Sequence, residues 1–119
     1  MNIAMFQGKN IRKVLHNGEW WFSVIDVVAV LTDQVDDLTA RKYWNKLAER
    51  LRSEGSQVVT KCHRLKLVAA DGKMRETDCA DTEAMFRIVQ SIPSPKAEPM
   101  KRWLAKVETL RGGMSYADV

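Results

Sequence analysis

Residues 17–31, NGEWWFSVIDVVAVL, constrain the fold more than any other stretch, because they carry three structural instructions in succession. Asn17-Gly18 is a dipeptide that readily takes φ > 0 at both central positions, which predicts a two-residue hairpin turn. Trp20, Trp21 and Phe22 follow as a strand with a large apolar surface. Ser23, with Asp26 three residues on, predicts a capping box that opens a helix over 24–31. Val24, Val27, Val28 and Leu31 recur there at helical spacing, and no catalytic side chain interrupts them. Asp26 reads as a helix-start acid rather than a general base. The segment is built to seat a helix on a sheet.

Around it, 3–7 and 11–16 read as short strands joined by Gly8-Lys9-Asn10, the second pairing with 20–22. The run 32–37 is polar and loop-like. A second helix is expected over 38–54, stopping at Gly55, a good left-handed terminator. Residues 56–60 read as a mobile connection. The stretches 64–70 and 74–79 alternate around Asp71-Gly72, a second hairpin signal. Asp81 suits the cap of a third helix over 82–92, with Ala84, Met85, Ile88 and Val89 inward. After the break at Pro93-Ser94-Pro95, Ser94 suits an N-cap and Pro95 the first position of a fourth helix. Its regular part is expected beyond Pro99, with Met100, Trp103, Leu104 and Val107 facing in and Gly112-Gly113 ending it. Strands, two helices, a hairpin and two more helices imply α+β: short antiparallel hairpins packed with about four helices in a single compact domain. One or two small sheets with helices on one face are expected.

At 119 residues the chain is long enough to fold as one domain without a disulfide or metal. No apolar run approaches the ~20 residues of a membrane span, and Met1-Asn2-Ile3-Ala4 lacks the charged start and apolar stretch of a signal peptide. The expected compartment is the cytoplasm, with Cys62 and Cys79 as free thiols. A net charge of +4 and a pI near 9.2 are compatible with a nucleic-acid partner. How those charges are distributed matters more than their sum.

On a helical wheel of 38–54, Ala40, Trp44, Leu47, Ala48 and Leu51 form the core stripe. Opposite them lie Arg41, Lys42, Asn45, Lys46, Glu49, Arg50 and Arg52. Arg and Asn match guanine and adenine edges bidentately in a major groove. Lys42, Lys46 and Arg50 form an i, i+4, i+8 row suited to phosphates. The bland alternative is a solvated basic face. In the second hairpin, a two-residue turn at Asp71-Gly72 pairs Lys73 with Ala70, Arg75 with Val68, Thr77 with Lys66 and Cys79 with Arg64. That register collects Arg64, Lys66, Lys73 and Arg75 on one face without an acid, and puts Leu65, Leu67, Ala69 and Met74 in the core. Here too, four scattered solvent-facing cations are the plain alternative. A third group, Lys96, Lys101, Arg102 and Lys106, includes ordinary pairing with Glu98 and is given no role beyond general field.

Other chemistry finds little support. His16, Cys62, His63 and Cys79 lack zinc-site spacing, so no metal and no cofactor are expected. No Ser or Cys sits in a glycine-rich elbow, and no phosphate-cradling glycine pattern is present, so no enzymatic activity is expected. Trp20, Trp21, Trp44 and Trp103 read as packing residues.

Four segments taken together carry a resemblance: FQGKNIRKVLHNGEWWFSVIDVVAVL, RKYWNKLAERLRSEG, LKLVAADGKMRETDCAD and IVQSIPSPKAEPMKRWLAKV. In this order, over about residues 6–110, they resemble the BRO-family N-terminal domain, found in phage and prophage antirepressor-like proteins and in large DNA viruses. The resemblance implies a non-catalytic DNA-binding or regulatory module over 1–111. Residues 112–119 are then a linker stub towards a different C-terminal domain. The shared motifs fall on the scaffold (NGEWWF, SVIDV, YW, DGK, IPSPKAE), so the contact residues rest on charge geometry alone.

The leading expectation is a double-stranded-DNA-binding domain of a prophage transcriptional regulator in the bacterial cytoplasm. Its contacts would come from Arg41, Lys42, Asn45, Lys46 and Arg50 on the helix and Arg64, Lys66, Lys73 and Arg75 on the hairpin. The rival is a protein-interaction module whose basic faces steer it to an acidic partner, a repressor that it inactivates. A single-strand or RNA binder would require Trp20, Trp21 or Tyr43 on the surface. No membrane partner is expected, and a homo-oligomer is compatible with everything above.

Overall fold

The computed structural model describes residues 2–109, with side chains through Val107. The expected boundary at 110–119, including Gly112-Gly113, lies outside the described residues. Five strands, β1 (Asn2–Phe6), β2 (Lys9–His16), β3 (Glu19–Ser23), β4 (His63–Val68) and β5 (Met74–Ala80), form one antiparallel sheet in the order β1-β2-β3-β5-β4. Four helices, α1 (Val24–Thr32), α2 (Asp37–Ser53), α3 (Thr82–Gln90) and α4 (Ala97–Thr109), complete the α+β fold. Among the described residues no helix is long and apolar enough to cross a membrane.

The first turn is Gln7-Gly8, at φ 48° and 78°, rather than Gly8-Lys9-Asn10, so Phe6 pairs directly with Lys9. Asn17 and Gly18 take φ 52° and 79°, closing β2 and β3 at His16 and Glu19 as the dipeptide dictates. Ser23 caps α1 by accepting from the Asp26 amide at 3.2 Å. The reciprocal half of the expected capping box is not made. The Asp26 carboxylate instead accepts from the Arg12 amide and clasps the Arg12 guanidinium, at 2.8–2.9 Å. The cause lies in the ladder: β3 turns into α1 at Ser23, so the next β2 amide has no strand partner, and Asp26 supplies one.

Arg12 also donates to the Val68 carbonyl at 2.9 Å. Strands β2 and β4 lie three places apart in the sheet order, yet this bond and the His16 and His63 rings, 5.9 Å apart, bring them together. The sheet therefore curls on itself. Its concave side buries a small cluster of Trp21, Leu67 and Cys79, with Val14 and Leu65 against it. The main core lies on the other side, where Phe22 and Ile11 meet α1, α2, α3 and α4 through Ile25, Trp44, Met85 and Leu104. Lys13 is buried on that side too, its ammonium 3.1 Å from the centre of the Trp20 ring.

Both edges of the sheet are blunted. The Trp103 indole donates to the Met5 carbonyl at 2.8 Å, occupying an outward-facing acceptor of β1. On β4 the exposed Arg64 and Lys66 discourage strand addition. The connection 56–60 is not a loose tether. Val58 and Val59 are buried in the main core, and a short 3-10 turn covers Val59–Lys61. Helix α4 begins at Ala97 and includes Pro99 in its first turn, where the missing N–H has no intrahelical acceptor to lose. Ser94 does not cap it; its hydroxyl accepts from the Lys96 amide within the preceding turn.

Candidate nucleic-acid interface

Asp36 caps α2 by accepting from the Thr39 amide at 2.7 Å, and this hydrogen bond holds its carboxyl below the usual range. Trp44 anchors the middle of the helix: its indole donates to Asp78 Oδ2 on β5 at 2.7 Å while the ring sits in the core. This bolt sets the basic face of α2 beside the β4–β5 hairpin. Arg41 and Asn45 from α2 and Arg64 from β4 line one cleft of about 190 Å³, with Asp78 and Trp44. Lys42 and Lys46 are exposed on the same helix.

The hairpin itself does not carry four cations on one face. Its loop has three residues, 70–72, not two, and the register moves by one: Arg64 pairs with Asp78, Lys66 with Glu76, Leu67 with Arg75 and His63 with Cys79. A one-residue slip exchanges faces along one strand relative to the other. Arg64 and Lys66 therefore share a face with Glu76 and Asp78, while Lys73 and Arg75 belong to the opposite one. Arg75 is further committed to Asp71, which raises its own pKa and lowers that of the carboxylate. Met74, expected in the core, moves to the Arg64 face and is exposed; Leu67 stays buried, and Leu65 and Ala69 are half-buried.

Arg50 turns away from this surface and donates to the Ser91 carbonyl after α3 at 3.2 Å. Arg52 belongs to it instead. It lies eleven residues after Arg41 on α2, which returns it to within about 20° of the same helix stripe. It is close enough to Cys62, just before β4, to favour the thiolate there. The wheel had already put Arg52 among the exposed cations, and only the position of β4 gives it a neighbour. Of the aromatics required for base stacking, Trp21 is buried and Trp20 and Tyr43 are half-buried.

Burial pushes both thiols, Cys62 and Cys79, up to about 12, which leaves them protonated and poorly nucleophilic near neutral pH. Among the described residues no three of His, Cys, Asp and Glu come together as a metal ion would need.

No curated protein and no solved structure shows a match to the chain. The family model described as BRO family, N-terminal domain, matches residues 10–110. That span takes in the second and third hairpin turns, the α1 start, the bolted α2 and the whole cleft, and it covers most of the chain. The protein belongs to the BRO family through its N-terminal domain.

Proposed function

We propose that this domain binds double-stranded DNA as the N-terminal module of a phage or prophage antirepressor-type transcriptional regulator. It does so without catalysis of its own, in the cytoplasm of a bacterial host. The observation that carries this reading is the shared cleft, which cations from two separate elements, Arg41 and Arg64, line together with Asn45. Lys42, Lys46 and Arg52 extend the positive surface along α2, and Lys66 extends it along β4. Such a surface supplies phosphate contacts from the flanks and base-reading groups from its centre. Glu76 and Asp78 reduce the field of the hairpin half, so the helix provides most of the attraction.

If about five of these cations touch phosphates, log affinity falls with log salt at a slope of roughly −4.5. Replacing both Arg64 and Lys66 by Ala should flatten that slope by about 2 without lowering the melting temperature. The paired change Lys73→Ala with Arg75→Ala should leave it unaltered, because those side chains lie on the other face. Titrations of a labelled duplex at several salt concentrations decide the matter, and an unchanged slope in the Arg64/Lys66 variant removes the hairpin from the interface.

A second reading, capture of a repressor protein, draws on a different surface. Val35 and Leu38 are exposed at the α1–α2 connection, and Val35 borders a groove of about 290 Å³ also lined by Lys9, Asn10, Asp33 and Gln34. Failure to retard random duplex at low salt and tens of micromolar protein would favour it.

A further inference from the structure

We infer that the α2–β4 cleft receives a single unstacked nucleobase bearing an exocyclic amino group, an inference that rests on the nucleic-acid reading above. Its volume, about 190 Å³, lies below the roughly 300–1,000 Å³ of pockets for drug-sized ligands. A cleft of this size suits one ring system. The polarity of its lining narrows the ligand further. Ile25 and Trp44, both buried, give it an apolar floor. Asp78, half-buried, presents a carboxylate whose Oδ2 is held by the Trp44 indole at 2.7 Å, which leaves Oδ1 to accept from a ligand. Arg41, Asn45 and Arg64 are exposed and form the rim.

A bare phosphate is a poor occupant, because the inner carboxylate repels it. A nucleotide is polar in the same sense as the cleft. Its amino group is a donor for Asp78, its remaining edge meets the Asn45 amide, and its phosphodiester stays outside beside the two guanidiniums. Acidic side chains accept from cytosine N4, and Asn pairs with adenine. Thymine offers a carbonyl where the amino group would be and meets a carboxylate that cannot donate. A base stacked within a duplex cannot enter, so the occupant is an extruded, bulged or terminal nucleotide. The competing occupant is internal: a swing of Arg41 or Arg64 onto Asp78 would fill the cleft with the protein's own guanidinium.

Anisotropy titrations with labelled duplexes, identical except for a single bulged dA, dC or dT or no bulge, test this directly. The dA and dC bulges should bind at least about fivefold more tightly than the dT bulge and the paired duplex, the ratio given by ~1 kcal/mol for one base-edge contact. In Asp78→Asn the amide oxygen can still accept from Trp44 and keep the fold, which a thermal melt checks, while the NH₂ group now faces the ligand. The preference for amino bases should vanish and turn towards dT; Asn45→Ala should weaken the dA preference. Equal affinity for all four duplexes, or a preference that survives Asp78→Asn, overturns the inference and leaves a surface that tracks phosphates only. Failure to bind any duplex overturns the nucleic-acid reading itself, a separate result.

Discussion

Two hairpins of this sheet carry nearly the same turn signal, Asn17-Gly18 and Asp71-Gly72, and resolve it differently. In the first, both residues take positive φ and the loop has two residues, so the register follows from the dipeptide. In the second, only Gly72 does, at φ 83°. Its amide donates to the Ala69 carbonyl at 2.9 Å, and the Ala69 amide donates to Lys73 at 2.8 Å, closing a three-residue loop. The Asp71 carboxylate accepts from the Lys73 amide and holds Arg75, which favours the longer loop. Asn lacks the charge for that clasp and tolerates the left-handed region more readily. A difference of one loop residue decides which cations share a face, and with it the composition of the candidate interface.

The hairpins also differ in what they do with charge. The β2–β3 hairpin hides two of its cations: Lys13 is buried over Trp20 and Arg12 is clasped by Asp26. The β4–β5 hairpin leaves Arg64, Lys66, Lys73 and Arg75 exposed. The first is therefore the place where charge governs stability, the second where it is free to meet a partner.

Removing the clasp gives the largest expected effect. Arg12→Ala leaves the Asp26 carboxylate mostly buried with its charge unpaired and removes the guanidinium's bond to the Val68 carbonyl, so a loss of about 3 kcal/mol is expected in urea denaturation. Loss of less than about 1 kcal/mol would mean that the curl of the sheet rests on the apolar cluster alone. The turns come next. Asn17→Ala forces a residue with no polar side chain into the left-handed region and should cost about 1 kcal/mol. Asp71→Ala, away from that region, should cost less in the same assay, and a reversed order would break the distinction between the two turns.

The third effect is confined to the first hairpin and appears with pH. Burial pushes the Lys13 ammonium down from 10.5 to about 8. Between those values the unfolded chain holds a proton that the folded chain has released, so this one group raises stability with pH, by about 1 kcal/mol from pH 8 to 9. From about pH 8 the two thiols work the other way, because their folded pKa of about 12 lies above the unfolded 9.0 and deprotonation favours the unfolded chain, which offsets most of that rise. Denaturation across pH 7.5–9 should show the stability of the wild type relative to Lys13→Met rising by about 1 kcal/mol, since the thiols are common to both. A difference that stays constant across that range would show that the ammonium is solvated.

Much of the architecture was legible because it is local. The Asn17-Gly18 turn, the Ser23 cap, the Asp81 cap and the Gly55 stop all act within a few residues, and each forms as its chemistry demands. The apolar stripes of α2 and α3 point inward as their spacing requires. Gln7 at positive φ carried no such signal, and it displaced the first turn by one residue. Asp26 was legible as a helix-start acid, but its bonds to Arg12 cross fourteen residues and could not be read from spacing. The helix half of the candidate site was visible on a wheel. The hairpin half depended on a register that loop length decides, and Arg52 gained its place only when β4 came alongside α2.

Sequence alone determined the Asn17-Gly18 turn, which faces of its helices are apolar and that the chain is basic, because caps, turn residues and periodicity are short-range properties. Tertiary structure decided which of those basic residues meet. Neither the Trp44–Asp78 bolt, which joins residues thirty-four positions apart, nor the curl of the sheet through Arg12 and Val68 has a counterpart in local pattern. Each satisfies buried polar groups that find partners only once distant elements have packed.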